Sequence, residues 1–332
     1  MEKFYPDLAD GFGQLLASLP GRPVAVIGHA RPDGDCIGSQ VALARILAAR
    51  GIEAICVNPD PVPRRLQFLT PGLTFLRTDA ILTRAAGAAA VFVDCADHAR
   101  AGERLKTLFP APAGNIDHHL SNAGYAAVNL IDSGSAATCE ILAGLAFDHG
   151  LPVDARTAQA LYTGILTDTG QFRFASTSRR CFALAGELVA RGADPAVAGF
   201  ELYEQESAGR IQLLQRFLGS LRLEAGGRIC LGTLPAGIFE QTGTTAEDTE
   251  GLVDYARSIA GVDIGVLVEE RADGTLKASL RAKDPACRVD LVAAEFGGGG
   301  HACAAGLNLK SIQPDFLPRL IASLTKRLPP AR

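Results

Sequence analysis

Apolar residues recur in short, nearly unbroken runs through the first half of the chain, separated by segments with helical spacing. The stretch RPVAVIGHA (residues 22–30) reads as a buried strand. A turn containing Gly34 follows, then IGSQVALARILAARG (37–51), in which Val41, Leu43, Ile46 and Leu47 suit a helix that stops at Gly51. IEAICVN (52–58), AAAVFVDCA (88–96), GNIDHH (114–119) and YAAVNLID (125–132) supply four further strands. Strands alternating with helices in this order predict an α/β fold whose mostly parallel sheet is covered by helices on both faces. In such sheets ligands sit outside the carboxyl ends of the strands.

The middle of the chain changes to helical spacing. SAATCEILAGLAFDHG (135–150), DARTAQALYTGILTDTG (154–170) and TSRRCFALAGELVARG (177–192) each end at or near glycine, and helical spacing continues from about residue 195 to 219. The last third reads differently. LRLEAGGRICLGTLP (221–235) suits a hairpin turned at Gly226-Gly227, and VDIGVLVEERADGTLKASLRAK (262–283) a second one turned at Asp273-Gly274. EDTEGLVDYARSIAG (247–261) between them suits a helix, and a Gly-rich segment and a closing helix complete a smaller α+β domain. The expected organisation is a catalytic, metal-binding domain over 1–200, a linker helix over 201–219 and a substrate-binding domain over 220–332.

Composition narrows the partners. The net charge of -4 leaves no basic stripe to track a long nucleic acid, so a nucleic-acid substrate has to be short. The eight cysteines contain no C-x-x-C pair, which fits buried thiols in a reducing compartment better than a zinc ribbon or a redox dithiol. No apolar run approaches the roughly 20 residues of a membrane span. The N-terminal stretch carries early acids without a continuous apolar run, so a signal peptide is not expected and the cytoplasm is the expected location.

Histidine and aspartate accumulate at the predicted strand ends: His29, Asp33 and Asp35 after the first strand, Asp94 after AAAVFV, Asp117, His118 and His119 after NI, and Asp168 late in a helix. Singly, each has an ordinary structural reading. A strand-end Asp commonly caps the next helix, and Asp33-Gly-Asp35 suits an Asx turn. Jointly, acids converging on one sheet edge repel and shift one another's pKa unless cations neutralise them. Oxygen donors with some imidazole suit Mn²⁺ or Mg²⁺ better than zinc or copper.

HARPDGDCIGS, VDCAD, NIDHHLSN and ILTDTGQFRF resemble, in order, the four motifs of the DHH phosphoesterase superfamily. SLRAK (279–283) and FGGGGHACAAG (296–306) resemble the two signatures of its DHH-associated domain. The subgroup most similar in layout is that of the stand-alone oligoribonucleases (nanoRNases) that are also phosphatases of 3′-phosphoadenosine 5′-phosphate (pAp). This resemblance implies two Mn²⁺ ions per chain, with Co²⁺ or Mg²⁺ as substitutes. One would be held by His29, Asp33 and Asp94, the other by Asp35, Asp94, His118 and Asp168, with Asp94 bridging. It implies two-metal hydrolysis, in which Asp117 orients the ligand imidazole and His119 contacts the phosphate or protonates the leaving oxygen. Arg281 would pair with a terminal phosphate, and Gly298, Gly299, Gly300 and His301 would hold the nucleotide, the glycines through backbone N–H groups.

The expected substrates are short oligoribonucleotides and pAp, bound in a cleft between two domains. A cyclic di-AMP or pApA phosphodiesterase is the alternative within the superfamily, and a non-catalytic nucleotide-binding protein the alternative outside enzymology. Long nucleic acid and membranes are not expected partners. Homodimerisation is allowed, and no motif specifies it.

Overall fold

The computed structural model describes residues 3–82, 87–311 and 313–330. The chain divides into two compact units, 1–205 and 206–332. In the first, strands β1 (Val24–Ile27), β2 (Ala54–Asn58), β3 (Phe75–Arg77), β4 (Ala89–Val93), β5 (Gly114–Asp117) and β6 (Val128–Ile131) form one sheet in the order β3-β2-β1-β4-β5-β6. Every pairing is parallel. Side chains alternate across a strand, so Val24 and Val26 enter one apolar core and Ala25 and Ile27 the other. Both faces are covered, which is why the strands read as continuous apolar runs.

The covering helices are α1 (Pro6–Ser18), α2 (Gly34–Ala49), α3 (Thr78–Ile81), α4 (Glu103–Leu108), α5 (Thr138–Asp148), α6 (Ala155–Asp168), α7 (Arg179–Ala190) and α8 (Pro195–Tyr203). The α/β fold with a parallel sheet is as the sequence pattern predicts. Two elements go beyond it. Strand β3 has only three residues, too few for a periodic signal, and α1 carries buried Phe12, Leu15 and Leu16 at helical spacing with two glycines diluting the pattern. The helical stretch expected over about 195–219 forms two helices, and the helix expected over 201–219 starts later, because α8 stops at Tyr203 and Ser207 starts α9 (Ala208–Gly219), its hydroxyl accepting from the Arg210 N–H.

The second unit holds β7 (Arg222–Glu224), β8 (Ile229–Leu234), α10 (Ile238–Thr242), α11 (Leu252–Ser258), β9 (Ile264–Glu270), β10 (Leu276–Ala282), α12 (Val289–Glu295), β11 (Gly299–His301), β12 (Ala304–Leu309) and α13 (Phe316–Lys326). Its sheet runs β11-β12-β10-β9-β8-β7, antiparallel except for β8 on β9. Both hairpins form at the expected turns, with Gly226, Gly227 and Gly274 at positive φ. The helix expected over 247–261 is shorter: it begins at Leu252, because Gly251 takes a left-handed backbone (φ 79) and breaks it from the 3₁₀ turn Ala246–Thr249. Among the described residues no helix is long and apolar enough to cross a membrane. The eight cysteines are free thiols, seven of them buried.

Candidate metal centre

Parallel strands point their carboxyl ends to one edge, and that edge gathers the polar residues. His29 follows β1 by one glycine, Asp94 follows β4 directly, and Asp117 closes β5 just before His118 and His119. Asp33 caps α2, its carboxylate accepting from the Cys36 N–H at 3.0 Å, and Asp35 lies in the first turn. Asp168 is the last residue of α6. Asp94 has a left-handed backbone (φ 53), uncommon for a residue with a side chain and the kind of local strain that collects at functional sites.

Asp94 has three histidines around it, with His119 Nδ1 3.6 Å from Oδ1. His29 Nε2 lies 3.2 Å from Oδ2, and His118 Nε2 lies 3.6 Å from Oδ1. Around His29, the half-exposed Asp33 comes to 3.9 Å. Around His118 Nε2, Asp168 lies at 3.2 Å and Asp35 at 3.9 Å. Each imidazole is oriented from behind: His29 Nδ1 bonds the Ala30 carbonyl at 2.8 Å and His118 Nδ1 the Ser135 carbonyl at 3.3 Å. A carbonyl only accepts, so both Nδ1 atoms carry the proton and both Nε2 atoms face the carboxylates. That backing from a carbonyl is the usual support of a metal-bound histidine. All six candidate metal ligands are thus brought together.

Burial makes the cluster electrostatically costly. Removal from water, with Asp168 nearby, pushes the Asp35 carboxyl up to about 6. Burial and the charges of Asp35, Asp33 and Asp168 raise Asp94 well above the carboxylate range, and burial also raises Asp168. For His118 burial opposes the charge, yet its bond to Asp168 and the charges of Asp35, Asp168 and Asp94 push it up to about 10. Three overlapping donor groups lie within 4.8 Å internally: His29-Cys36-Asp94, Asp94-His118-His119 and Asp35-His118-Asp168. Burial raises the Cys36 thiol well above its ordinary range, and the other donors form an oxygen-and-imidazole set that fits hard divalent ions.

Close packing fixes Asp35. Its two oxygens accept the N–H groups of Thr138 and Cys139, at 2.7 and 2.8 Å, from the N-terminus of α5. Thr138 Oγ1 also donates to Asp94 Oδ1 at 3.2 Å. A Cβ at Gly164 would come within 2.2 Å of Cys139 Sγ and 3.0 Å of Asp35 Oδ1, so only glycine lets α6 approach here. Neither contact is visible in residue spacing; the alternation of helices shows only that α5 exists.

Asp117 differs from expectation. Its Oδ1 accepts from His119 Nδ1 at 2.8 Å and its Oδ2 from Asn122 Nδ2 at 2.6 Å, so it orients His119, while His118 is oriented by Ser135. Burial works against ionisation at Asp117, but the bonds from His119 and Asn122 keep it below the usual carboxylate range. On its other side His119 Nε2 lies 3.2 Å from Nη1 of Arg100, an exposed cation that the motif reading missed. Ser39 is fully buried with its hydroxyl bonded to the Cys36 carbonyl, so it has a packing role and no access to phosphate. His98 stacks on Tyr125 and His149 Nε2 bonds the Ala9 carbonyl, both away from the cluster's bonds.

In the second unit, Arg281 of β10 and His301 of β11 are both paired with Ala304 of β12. Residues in one row of a sheet point to one face, so the two side chains share a face, roughly 9–10 Å apart along the row. Of the three glycines expected to hold a nucleotide through backbone N–H groups, one is already engaged. Gly298 gives its N–H to the Ala293 carbonyl at 2.8 Å, which removes it as an anion donor. A Cβ there would come within 2.2 Å of the Gly306 carbonyl, and one at Gly300 within 2.4 Å of the Ala304 carbonyl, so these two glycines permit the tight β11–β12 ribbon that carries His301.

Comparison with known proteins places this geometry. Residues 23–165 match the DHH family, N-terminal domain, and residues 228–328 match the DHHA1 domain. The bifunctional oligoribonuclease and PAP phosphatase NrnA of Thermus thermophilus is 32% identical over 302 residues, covering 91% of this chain and 88% of that protein. The protein of the same name in Bacillus subtilis is 27% identical, covering 89% and 91%. Among solved structures, an exopolyphosphatase-related protein from Bacteroides fragilis superposes with a TM-score of 0.88 at 23% identity, covering 96% of this chain and 95% of that one. RecJ of Thermus thermophilus in complex with Mn²⁺ shares the fold at a TM-score of 0.54 and 15% identity, covering 99% of this chain and 57% of that one.

Proposed function

The chain belongs to the DHH family and carries that family's DHHA1 domain, and on that premise we propose that it is a Mn²⁺-dependent phosphoesterase that hydrolyses very short oligoribonucleotides and removes phosphate from pAp. The observation that carries the chemistry is Asp94, whose two oxygens face different histidines, each backed by a carbonyl. The substrate class is supported by relatives across most of the chain that are named oligoribonuclease and PAP phosphatase, and by a net charge of -4 that suits short ligands. The eight free cysteines fit a reducing cytoplasm.

His29, Asp33 and Asp94 would hold one divalent ion, and Asp35, Asp94, His118 and Asp168 a second. Such ions supply Lewis-acid polarisation of the phosphoryl oxygens and a nucleophile at neutral pH. The chain's own groups do the rest. Asp117 accepts the Nδ1–H of His119 and orients the ring, so that Nε2, when protonated, would deliver a proton to the leaving oxygen. Arg100, beside Nε2, would take a non-bridging phosphate oxygen. Arg281 and His301, on one face of the second sheet, would hold the far end of the nucleotide, with residues 220–332 as the substrate-binding domain.

One panel tests the reading. Wild type and Asp94→Asn are incubated with Mn²⁺ and pAp, pApA, cyclic di-AMP, RNA of two to five nucleotides, a long RNA or pyrophosphate, and kcat/KM is compared. Highest values on the short RNAs and pAp, lost in Asp94→Asn, are expected. Best turnover of cyclic di-AMP would overturn the substrate assignment, and full activity in Asp94→Asn would overturn the metal mechanism.

A further inference from the structure

Three of the candidate ligands lean on one short segment, residues 132–139, each through a different group. The Ser135 carbonyl takes the His118 Nδ1 proton at 3.3 Å, the Thr138 and Cys139 amides hold Asp35 at 2.7 and 2.8 Å, and the Thr138 hydroxyl donates to Asp94 at 3.2 Å. From Asp132 to Ala137 this segment belongs to no helix or strand, so no regular ladder dictates its shape. Two backbone bonds hold it, from the Asp132 N–H to the Asp117 carbonyl and from the Ser135 N–H to the Asp132 carbonyl, and side-chain bonds supply the rest.

Those bonds converge on Arg180 in α7. Its Nη2 donates to Asp132 Oδ2 at 2.7 Å and to Ser135 Oγ at 3.0 Å, and its Nε to Glu140 Oε1 at 3.0 Å. Glu140 is fully buried, and its other oxygen accepts the Ala136 N–H at 2.7 Å. The Tyr5 ring lies 4.2 Å from the guanidinium carbon, and its hydroxyl lies 2.8 Å from Ser135 Oγ. One cation therefore ties the beginning, middle and end of the segment. A guanidinium suits this task because its donors form a rigid fork, whereas an ammonium is a point charge without that geometry. Removing it leaves a buried carboxylate without its cation, a costly arrangement that the segment would relieve by moving.

We propose that Arg180 is a positioning residue for the metal centre: by clamping residues 132–140 it sets the Ser135 carbonyl and the α5 amides that aim His118 and Asp35. This rests on reading Asp35, Asp94 and His118 as metal ligands. Arg180 bonds Asp132, Ser135 and Glu140 and, among the described residues, none of the candidate ligands, so its effect would travel through the segment. The ion on the His118, Asp35 and Asp168 side should depend on it strongly, and the ion on the His29 and Asp33 side, which meets the segment only through Asp94, much less.

Mn²⁺ titration followed by the electron paramagnetic resonance of the free ion tests this on the full chain. Wild type, Arg180→Lys, Arg180→Gln and the control Arg191→Gln are compared, each also melted in EDTA. Arg191 lies just beyond the same helix but pairs with Glu187. Wild type and the control should bind two ions alike. Arg180→Gln should weaken one of the two by about 10- to 100-fold, the range for lost outer support of a metal ligand, with Arg180→Lys between. If Arg180→Gln does not fold, Arg180→Lys decides. Unchanged Mn²⁺ affinities with a lowered melting temperature would reduce Arg180 to a structural part and overturn the proposal, as would equal weakening of both ions. Wild type that binds no Mn²⁺ would fail the ligand reading itself, before any substitution is compared.

Discussion

Asp117 and His119, two residues apart at the end of β5, are joined by a 2.8 Å bond between Oδ1 and Nδ1. The bond orients the ring and turns Nε2 outward, where it can act as a general acid once it also carries a proton. His119→Ala should therefore lower kcat by about 100-fold or more, within the range general acid catalysis contributes. Asp117→Asn should lower it by about 10- to 100-fold. Both variants should still bind two Mn²⁺ ions. Turnover of His119→Ala equal to wild type at saturating Mn²⁺ would remove the acid role.

The buried cluster gives the metal-free protein a characteristic pH dependence. Asp35 is raised to about 6, so the stability associated with its proton is complete below its unfolded value near 4 and is lost as pH rises toward 6. His118 is raised to about 10, so its contribution is present below its unfolded value and fades as pH rises toward 10. The two slopes have the same sign. In EDTA, the melting temperature should fall as pH rises through these windows. The gain on adding Mn²⁺ should be larger at about pH 8 than at about pH 5, because the ligands bind the ion deprotonated. Calorimetry at both values decides; a gain that shrinks with pH contradicts the assignment.

Arg281 shares a sheet face with His301 and is only partly buried, its Nη1 bonded to its own Leu280 carbonyl. Replacing a charged phosphate contact costs roughly 1.5–3 kcal/mol, or about 10- to 100-fold. Arg281→Ala should raise KM by that factor for substrates with a terminal phosphate and leave Mn²⁺ binding untouched. An equal effect on substrates lacking that phosphate would show that the guanidinium does not read it.

Asp154 caps α6, the helix that ends in Asp168: its Oδ1 accepts from Thr157 N at 2.9 Å. The bond from Arg45 and those from Thr157 hold its carboxyl well below the usual range. Asp154→Ala should cost about 1 kcal/mol at neutral pH, as lost caps do. The contribution is present above the unfolded pKa and is lost as pH falls through and below about 4, so wild type and variant should converge in acid. A constant difference down to pH 2 (about two units below that value) would point to packing alone.

How far could residues alone lead? Continuous apolar runs dictate a sheet covered on both faces, and a parallel sheet has one carboxyl edge, so His29, Asp94 and Asp117 are legible as neighbours from strand ends. The second-unit hairpins are equally legible, since Gly274 and Gly226-Gly227 mark turns that need positive φ. Other relationships carry no local signature. Arg180 meets Asp132 and Glu140 across 48 and 40 residues, and the α5 amides meet Asp35 across more than 100. Which histidine Asp117 serves depends on a ring rotation two residues away, and Arg281 and His301 become partners only through the register on Ala304. Periodicity records which face of an element is dry. It does not record which dry faces meet, because that is decided by packing and hydrogen-bond satisfaction among distant segments at once.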